Sequence, residues 1–440
     1  MKYRISHPTK KLIGSINLNA SKSESNRALI IQALCNERFE IENLATAEDT
    51  VVLQQILASV TNNSNSKIPY DVGASGTAMR FLTAFFAIKS GTRILTGSER
   101  MKKRPIGVLV DALRQLGASI EYLEEEGFPP LKITGKTLKG NEVEMDGNVS
   151  SQFISALLLI APELQYGLVI RFKGDVTSVP YVNMTLKMME EFRVYGQWHN
   201  NYISVSKQQY HRKSEPDYAF QVEADWSSAS YWYAMASLAT EVDLTIRRLK
   251  HPSLQGDSIV APVFSFFNVK TEYIENGIRL TKTKGNKEHF GYDFSDCPDL
   301  AQTIAVVVSA LNISALFNGV HTLQIKETDR IAALKNELNK IGVEVEIVND
   351  DSIKITPQSE LSPNSPHSYA PPLALTPANT KGGITPPPIA TYDDHRMAMA
   401  FAVLAMKFDS IIIENPEVVK KSYPGFWEDL KSVGFIIEAL

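Results

Sequence analysis

Six stretches of this 440-residue chain share one design: a polar, often charged lead-in runs straight into a helix of small and apolar residues. They begin near Ala20-Ser21-Lys22-Ser23-Glu24-Ser25-Asn26-Arg27, Gly73-Ala74-Ser75-Gly76-Thr77-Ala78-Met79-Arg80 and Asp146-Gly147-Asn148-Val149-Ser150-Ser151-Gln152. The others begin near Asp225-Trp226-Ser227-Ser228, Cys297-Pro298-Asp299-Leu300-Ala301-Gln302-Thr303 and Tyr392-Asp393-Asp394-His395-Arg396-Met397. The starts recur at roughly 50 to 100 residues, too long for a short solenoid repeat and suited to a small αβ unit. A helix that is apolar all round belongs inside a protein, so only its ends stay wet. At the N-terminal end, free backbone N–H groups and the positive end of the helix dipole favour an anion.

A second, more amphipathic helix alternates with the first, over residues 105–116, 181–192, 253–267, 326–341 and 423–433. After most of these comes a turn and then a period-2 run. Gly117-Ala118-Ser119-Ile120-Glu121 leads to Leu131-Lys132-Ile133, and Gly342-Val343-Glu344-Val345-Glu346 leads to Ile353-Lys354-Ile355. Both predict hairpins with alternating faces. The fold class is therefore α/β, built from six βαβαββ-like units. The sixth copy stops after one strand, Phe435-Ile436-Ile437-Glu438, while residues 2–19 supply surplus strand. This predicts a first domain over residues 21–222 and a second, discontinuous domain over residues 1–20 and 223–440, with three units each. The first unit is abbreviated, because residues 61–67 form a polar bridge where a hairpin is expected. Residues 357–388, rich in Pro, Ser and Asn, read as an extended loop.

A formal net charge of −4 gives no general affinity for nucleic acid or anionic membranes, so an anion site must be a local concentration of cations. No apolar run is long enough to span a bilayer, and no secretory h-region follows Met1, so a cytoplasmic protein is expected. Cys35 and Cys297 form neither a metal spacing nor a disulfide framework. His395 has no second histidine at ligand spacing, and neither GxxxxGK[ST] nor GxGxxG occurs.

Cations recur at the helix starts: Lys22, Arg27, Arg104, Arg330, Arg396 and Lys421. Together they favour a polyanionic ligand. Carboxylates accompany them at Asp299, Glu327 and Asp329. Taken alone, Asp299 is a partner for a helix dipole and Glu327 half of an intrahelical ion pair. Beside bound anions, both suit general acid–base work.

These residues resemble one known family. Ser21-Lys22-Ser23-Glu24-Ser25-Asn26-Arg27-Ala28-Leu29, Gly76-Thr77-Ala78-Met79-Arg80, Lys103-Arg104-Pro105-Ile106, Ser150-Ser151-Gln152-Phe153, Lys326-Glu327-Thr328-Asp329-Arg330 and Asp394-His395-Arg396-Met397-Ala398-Met399 look like the 5-enolpyruvylshikimate-3-phosphate synthases. The motifs occur in family order over nearly the whole chain. The resemblance implies a two-domain, inside-out α/β barrel of the enolpyruvyl transferase type. It implies transfer of enolpyruvyl from phosphoenolpyruvate to the 5-hydroxyl of shikimate 3-phosphate, in aromatic amino-acid biosynthesis, by a monomer with no metal or organic cofactor.

Carried over by motif, Lys22, Ser23, Arg27, Ser150, Ser151, Gln152, Ser178, Tyr181, Asp299 and Lys326 are expected to hold shikimate 3-phosphate. Lys22, Gly76, Arg104, Gln152, Arg330, Arg396 and Lys421 are expected to hold phosphoenolpyruvate. Lys22, Asp299 and Glu327 are the expected catalytic groups. Repulsion among the cations predicts an open form that closes on ligand, hinged near Ala20-Ser21 and Val222-Glu223. Gly76 leaves room for the inhibitor glyphosate. Two departures stand out: Phe81 where the common pattern has proline, and Thr322 where asparagine is expected before Leu323. The related UDP-N-acetylglucosamine transferases usually carry a cysteine before their Arg-Pro; Ser98-Glu99-Arg100-Met101-Lys102-Lys103-Arg104 has none. A catalytically dead binding protein on the same fold is the other alternative.

Overall fold

A computed structural model describes residues 1–60, 69–215, 218–285, 288–357 and 385–440. The polar bridge expected at residues 61–67 lies outside them, as does most of the loop expected at residues 357–388. The chain divides into two units, Ala20–Glu223 and Met1–Asn19 with Ala224–Leu440.

The first unit carries helices α1 (Lys22–Leu34), α2 (Glu48–Val60), α3 (Gly76–Ile88), α4 (Gly107–Gln115), α5 (Ser151–Ile160) and α6 (Val179–Glu191). The second carries α7 (Trp226–Leu238), α8 (Val260–Ser265), α9 (Ala301–Ala310), α10 (Arg330–Asn339), α11 (His395–Ala402) and α12 (Phe426–Ser432). The odd-numbered helices are the small-residue, apolar ones. In α3, α5, α7, α9 and α11 nearly every position is buried. Ala, Ser and Gly let these helices approach closely, and their apolar residues leave no face for water. α1, α3 and α5 pack against one another, as do α7, α9 and α11 within their own unit. The even-numbered helices are two-faced: α4 buries Leu109, Val110, Ala112 and Leu113 and exposes Val108, Asp111, Arg114 and Gln115.

The four-stranded sheets repeat one order. Tyr70–Asp71 runs parallel to Gly91–Thr96, which pairs antiparallel with Leu131–Gly135, itself hairpinned to Ser119–Tyr122. The same order links Glu142–Asp146, Leu168–Lys173, Tyr202–Val205 and Gly196–Trp198. It recurs in His289–Asp293, Ser314–Asn318, Ser352–Pro357 and Val343–Asn349. The parallel pair follows from the odd helix between its strands, since parallel neighbours need a crossover.

Distant segments complete the sheets. Lys11–Asn17 pairs in parallel with Glu241–Arg247, serving as the strand before α7. Lys2–Ser6 lies between Ile411–Glu414 and Ile436–Ala439, where the shortened last copy lacks a strand. In the first unit Ala219–Gln221 runs parallel to Glu40–Glu42.

Two second-type helices fall furthest short of their sequence pattern. Residues 253–267 resolve into a 3-10 turn, Gly256–Ile259, and then α8. α10 begins only at Arg330, because the Asp329 side chain caps it by accepting from Ala332 N at 3.0 Å. Lys326 and Glu327 therefore sit on the turn before the helix and not within it. No helix among the described residues is long and apolar enough to cross a membrane.

Ile5 is fully buried on the inserted N-terminal strand. Ile5→Ala is expected to cost about 2–5 kcal/mol, read as a lower urea midpoint. The fluorescence of Trp226, Trp232 and Trp427, all in the same unit, reports it.

Candidate active site

In the first unit the starts of α1, α3 and α5 are capped by serines. Ser21 accepts from Glu24 N at 3.4 Å, Ser75 from Ala78 N at 3.2 Å and Ser150 from Gln152 N at 3.4 Å. A neutral cap satisfies one N–H without cancelling the positive end of the dipole, which Glu24 in the first turn offsets in α1 and no acid offsets in α3 or α5. Gln152 Nε2 donates to Thr77 Oγ1 at 3.1 Å, which ties the start of α5 to that of α3. Ser151 is buried beside it.

Arginines crowd the start of α3. A Cβ built on Gly76 would stand 2.5 Å from Arg80 Nη1 and 2.8 and 2.9 Å from Arg104 Nη1 and Nη2. Arg80 donates to Gly76 O at 3.0 Å and to Pro105 O at 3.4 Å. Arg104 is buried, and its Nε meets no hydrogen-bond partner among the described residues.

Arg27 lies in the second turn of α1, buried among neutral acceptors. It donates to Thr185 Oγ1 at 2.7 Å, Ser23 O at 2.9 Å, Ser155 Oγ at 3.0 Å and Tyr181 O at 3.2 Å. Burial lowers its pKa to about 10. Phe81, the departure from the proline of the common pattern, sets its buried ring beneath this guanidinium, 5.6 Å from Arg27 Cζ to the ring centroid. Ser178, just before α6, holds a left-handed φ of 55°, and its carbonyl accepts from Tyr181 N at 3.1 Å. Lys22 bonds Asp49 Oδ2 at 3.1 Å, in the first turn of α2.

The second unit places carboxylates where the first has serines. Asp225 caps α7 and Asp394 caps α11, accepting from Ser228 N at 2.9 Å and Arg396 N at 2.8 Å. Asp299 sits on the 3-10 turn Pro298–Leu300 that leads into α9. Arg330, 1% exposed, joins three acids: Nε to Asp394 Oδ2 at 2.7 Å, Nη1 to Asp299 Oδ1 at 3.1 Å and Nη2 to Glu327 Oε2 at 2.8 Å. Arg396 Nη2 reaches Asp299 Oδ2 at 2.8 Å, and Lys326 Nζ lies 3.9 Å from Asp299 Oδ1. Burial alone would push the Asp299 carboxyl up; Arg396, Lys326 and Arg330 outweigh it and hold it well below the usual carboxylate range. Burial also pushes the Lys326 ammonium down.

Lys421 donates to Asp393 O at 2.6 Å, where Tyr392 and Asp393 carry left-handed φ values of 53° and 55° just before the α11 cap. Thr322 lies on the 3-10 turn His321–Ile325 that leads to Lys326. Cys297 is buried, which pushes its thiol up and away from nucleophilic duty. Among the described residues no group of three or more His, Cys, Asp or Glu could hold a metal ion.

The structure thus gathers Asp299, Lys326, Glu327, Arg330 and Arg396 into one network, with Lys421 one residue from its edge. In the other unit it groups Gly76 with Arg104, and Arg27 with Ser23 and Tyr181. Lys22 pairs with Asp49, which sequence reasoning missed. Asp394 and Arg80 were also missed as members of the site. Asp394 reads locally as a cap, and nothing in the sequence announces its bond to Arg330, 64 residues away. Chemically, the first unit offers cations and helix starts for anions, and the second offers acids whose protons are governed by neighbouring cations.

The sequence matches the EPSP synthase (3-phosphoshikimate 1-carboxyvinyltransferase) family over residues 6–430. It is 44% identical to a 3-phosphoshikimate 1-carboxyvinyltransferase of Bacteroides fragilis, covering 100% of this chain and 99% of that one. The corresponding protein of a Sulfurovum species is 36% identical, covering 97% of this chain and 98% of that one. Among solved structures, EPSP synthase from Acinetobacter baumannii superposes with a TM-score of 0.75 at 20% identity, over 100% of both chains, a likeness of fold.

The atoms nearest a Gly76→Ala methyl are side-chain tips of Arg80 and Arg104, so the fold is expected to survive it while both guanidiniums move. Calorimetric binding of inorganic phosphate is expected to weaken about tenfold, or ~1.4 kcal/mol.

Proposed function

The chain belongs to the EPSP synthase family, and from that membership we propose how its residues divide the family's reaction. The enzyme transfers the enolpyruvyl group from phosphoenolpyruvate to shikimate 3-phosphate in the shikimate pathway. In the proposed division, Lys22, Ser23, Arg27, Ser150, Ser151, Gln152, Ser178 and Tyr181 hold shikimate 3-phosphate, with Asp299 and Lys326 on its ring hydroxyls. Lys22, Gly76, Arg104, Gln152, Arg330, Arg396 and Lys421 hold the phosphate and carboxylate of phosphoenolpyruvate.

Asp299 accepts the proton of the 5-hydroxyl as that oxygen bonds to C2 of phosphoenolpyruvate. Glu327 delivers a proton to the methylene carbon, giving a tetrahedral intermediate. Glu327 then takes a methyl proton back as phosphate leaves with the C–O bonding pair and carries off the proton held by Asp299. Both acids return to their starting states, while Lys22 neutralises charge on the leaving oxygens. The substrate's own phosphate is the leaving group, so the steps call for no metal or organic cofactor. The protein acts as a cytoplasmic monomer, with these small molecules as its partners.

The observation that carries this reading is the Arg330 network, which holds Asp299 and Glu327 on one guanidinium. Ringed by Arg330, Arg396 and Lys326, Asp299 is a weak base. A bound phosphate or carboxylate competes for those same cations. At an effective dielectric near 20, each such pair is worth on the order of 4 kcal/mol at 4 Å. Substrate binding thereby raises the proton affinity of Asp299 when a base is needed.

Phosphate release is expected to require both substrates and no added metal. Asp299→Asn and Glu327→Gln are each expected to lower kcat about 10²–10⁴-fold. Release with UDP-N-acetylglucosamine in place of shikimate 3-phosphate, or full activity in Asp299→Asn, would overturn the assignment.

A further inference from the structure

Asp257 lies on the 3-10 turn Gly256–Ile259 and has no part in the mechanism above. Its residue is 3% exposed. The Ser227 hydroxyl, in the first turn of α7, donates to Asp257 Oδ2. Asp257 Oδ1 is buried and meets no hydrogen-bond partner among the described residues. α7 packs against this turn and also against the turn Pro298–Leu300 that carries Asp299.

The charged and titratable groups facing Asp257 are mostly unfavourable to its ionised form. Asp299 and the α7 cap Asp225 repel it, and the Cys297 thiol lies within its field. Arg396 on α11 is the opposing cation, and its guanidinium is directed at Asp299, with Nη2 on Oδ2 at 2.8 Å and Nη1 on the backbone oxygen at 3.3 Å. A buried carboxylate with one hydroxyl partner is costly, so the group holds its proton more tightly than an exposed carboxyl does. Burial first, and then Asp299, raise its pKa to about 7.

We propose that Asp257 is a positioning residue that sets the proton affinity of Asp299 across the N-terminal end of α7. The inference rests on Asp299 being the base for the substrate hydroxyl. The two carboxyls repel, so the coupling runs both ways. When Asp257 gives up its proton, its negative charge offsets part of the cationic field on Asp299 and makes that residue a stronger base. When Asp299 takes the hydroxyl proton, its charge is neutralised and Asp257 holds its own proton less tightly. No bond other than O–H changes.

The test is the pH profile of kcat, with shikimate 3-phosphate and phosphoenolpyruvate saturating, for the native enzyme, Asp257→Asn and Ser227→Ala. The native kcat is expected to rise through neutral pH as Asp257 ionises. An amide in its place stays neutral at every pH, so in Asp257→Asn that rise is absent. The ratio of native to variant kcat then grows about three- to tenfold between about pH 6 and about pH 8. Ser227→Ala removes a donor that favours the ionised form, so its rise is expected at higher pH. An equal loss at every pH in Asp257→Asn, or a native-like rise in it, overturns the proposal. If Asp257→Asn fails to fold, an unshifted rise in Ser227→Ala does the same. Asp299→Asn separates the two readings. If it abolishes turnover while Asp257→Asn shows no pH-dependent effect, only the role of Asp257 falls. If it remains active, the base assignment falls first.

Discussion

The burial of the odd-numbered helices on every side is the constraint from which the rest of this structure follows. A helix with no wet face shows water only its ends, and those ends carry unpaired backbone N–H groups and half a unit of charge. Polar chemistry in such a unit is therefore confined to the helix starts and the turns that lead into them. The strands are pushed outward as a consequence. Each odd helix separates two parallel strands, and the hairpin after the even helix completes the sheet. Lys11–Asn17 and Lys2–Ser6 fit because a sheet needs a strand of the right pattern at that place, from wherever in the chain it comes.

The two units use their helix starts in opposite ways. Ser21, Ser75 and Ser150 cap without charge, and only α1 has an acid in its first turn, Glu24, so α3 and α5 keep their positive dipole ends, and the unit adds buried guanidiniums at Arg27 and Arg104. Asp225, Asp299 and Asp394 occupy the equivalent turns of the second unit and cancel that positive field. Asp299 and Asp394 recruit Arg330, and Asp299 recruits Arg396. A buried ion costs several kcal/mol to desolvate, so a lone guanidinium in that position would be untenable, and three carboxylates offset the cost for Arg330. The same crowding makes the acids responsive: any anion that draws an arginine changes how tightly Asp299 holds a proton.

The departures gain physical meaning from their neighbours. Phe81 reads in the sequence as a residue out of pattern, and its ring proves to lie beneath Arg27. Thr322 stands on the turn that leads to Lys326, and nothing in the structure explains why threonine replaces the expected asparagine.

Periodicity determined which helices are buried and which are two-faced, because 3.6- and 2-residue repeats leave their mark on each segment separately. The sequence also showed that polar lead-ins precede the apolar helices. It placed Lys326 and Glu327 inside a helix, whereas the Asp329 cap leaves them on the turn ahead of it, where they meet Asp299 and Arg330. The pairing of Arg330 with Asp394, of Lys22 with Asp49 and of Asp257 with Ser227 had no sequence signal. Each joins residues on different elements, and only the packing of those elements sets the distance between them. Side-chain type and spacing along the chain are local properties, and the sequence alone was enough to read them. The strength of a charge–charge interaction depends on separation and burial, and those were decided by the tertiary structure.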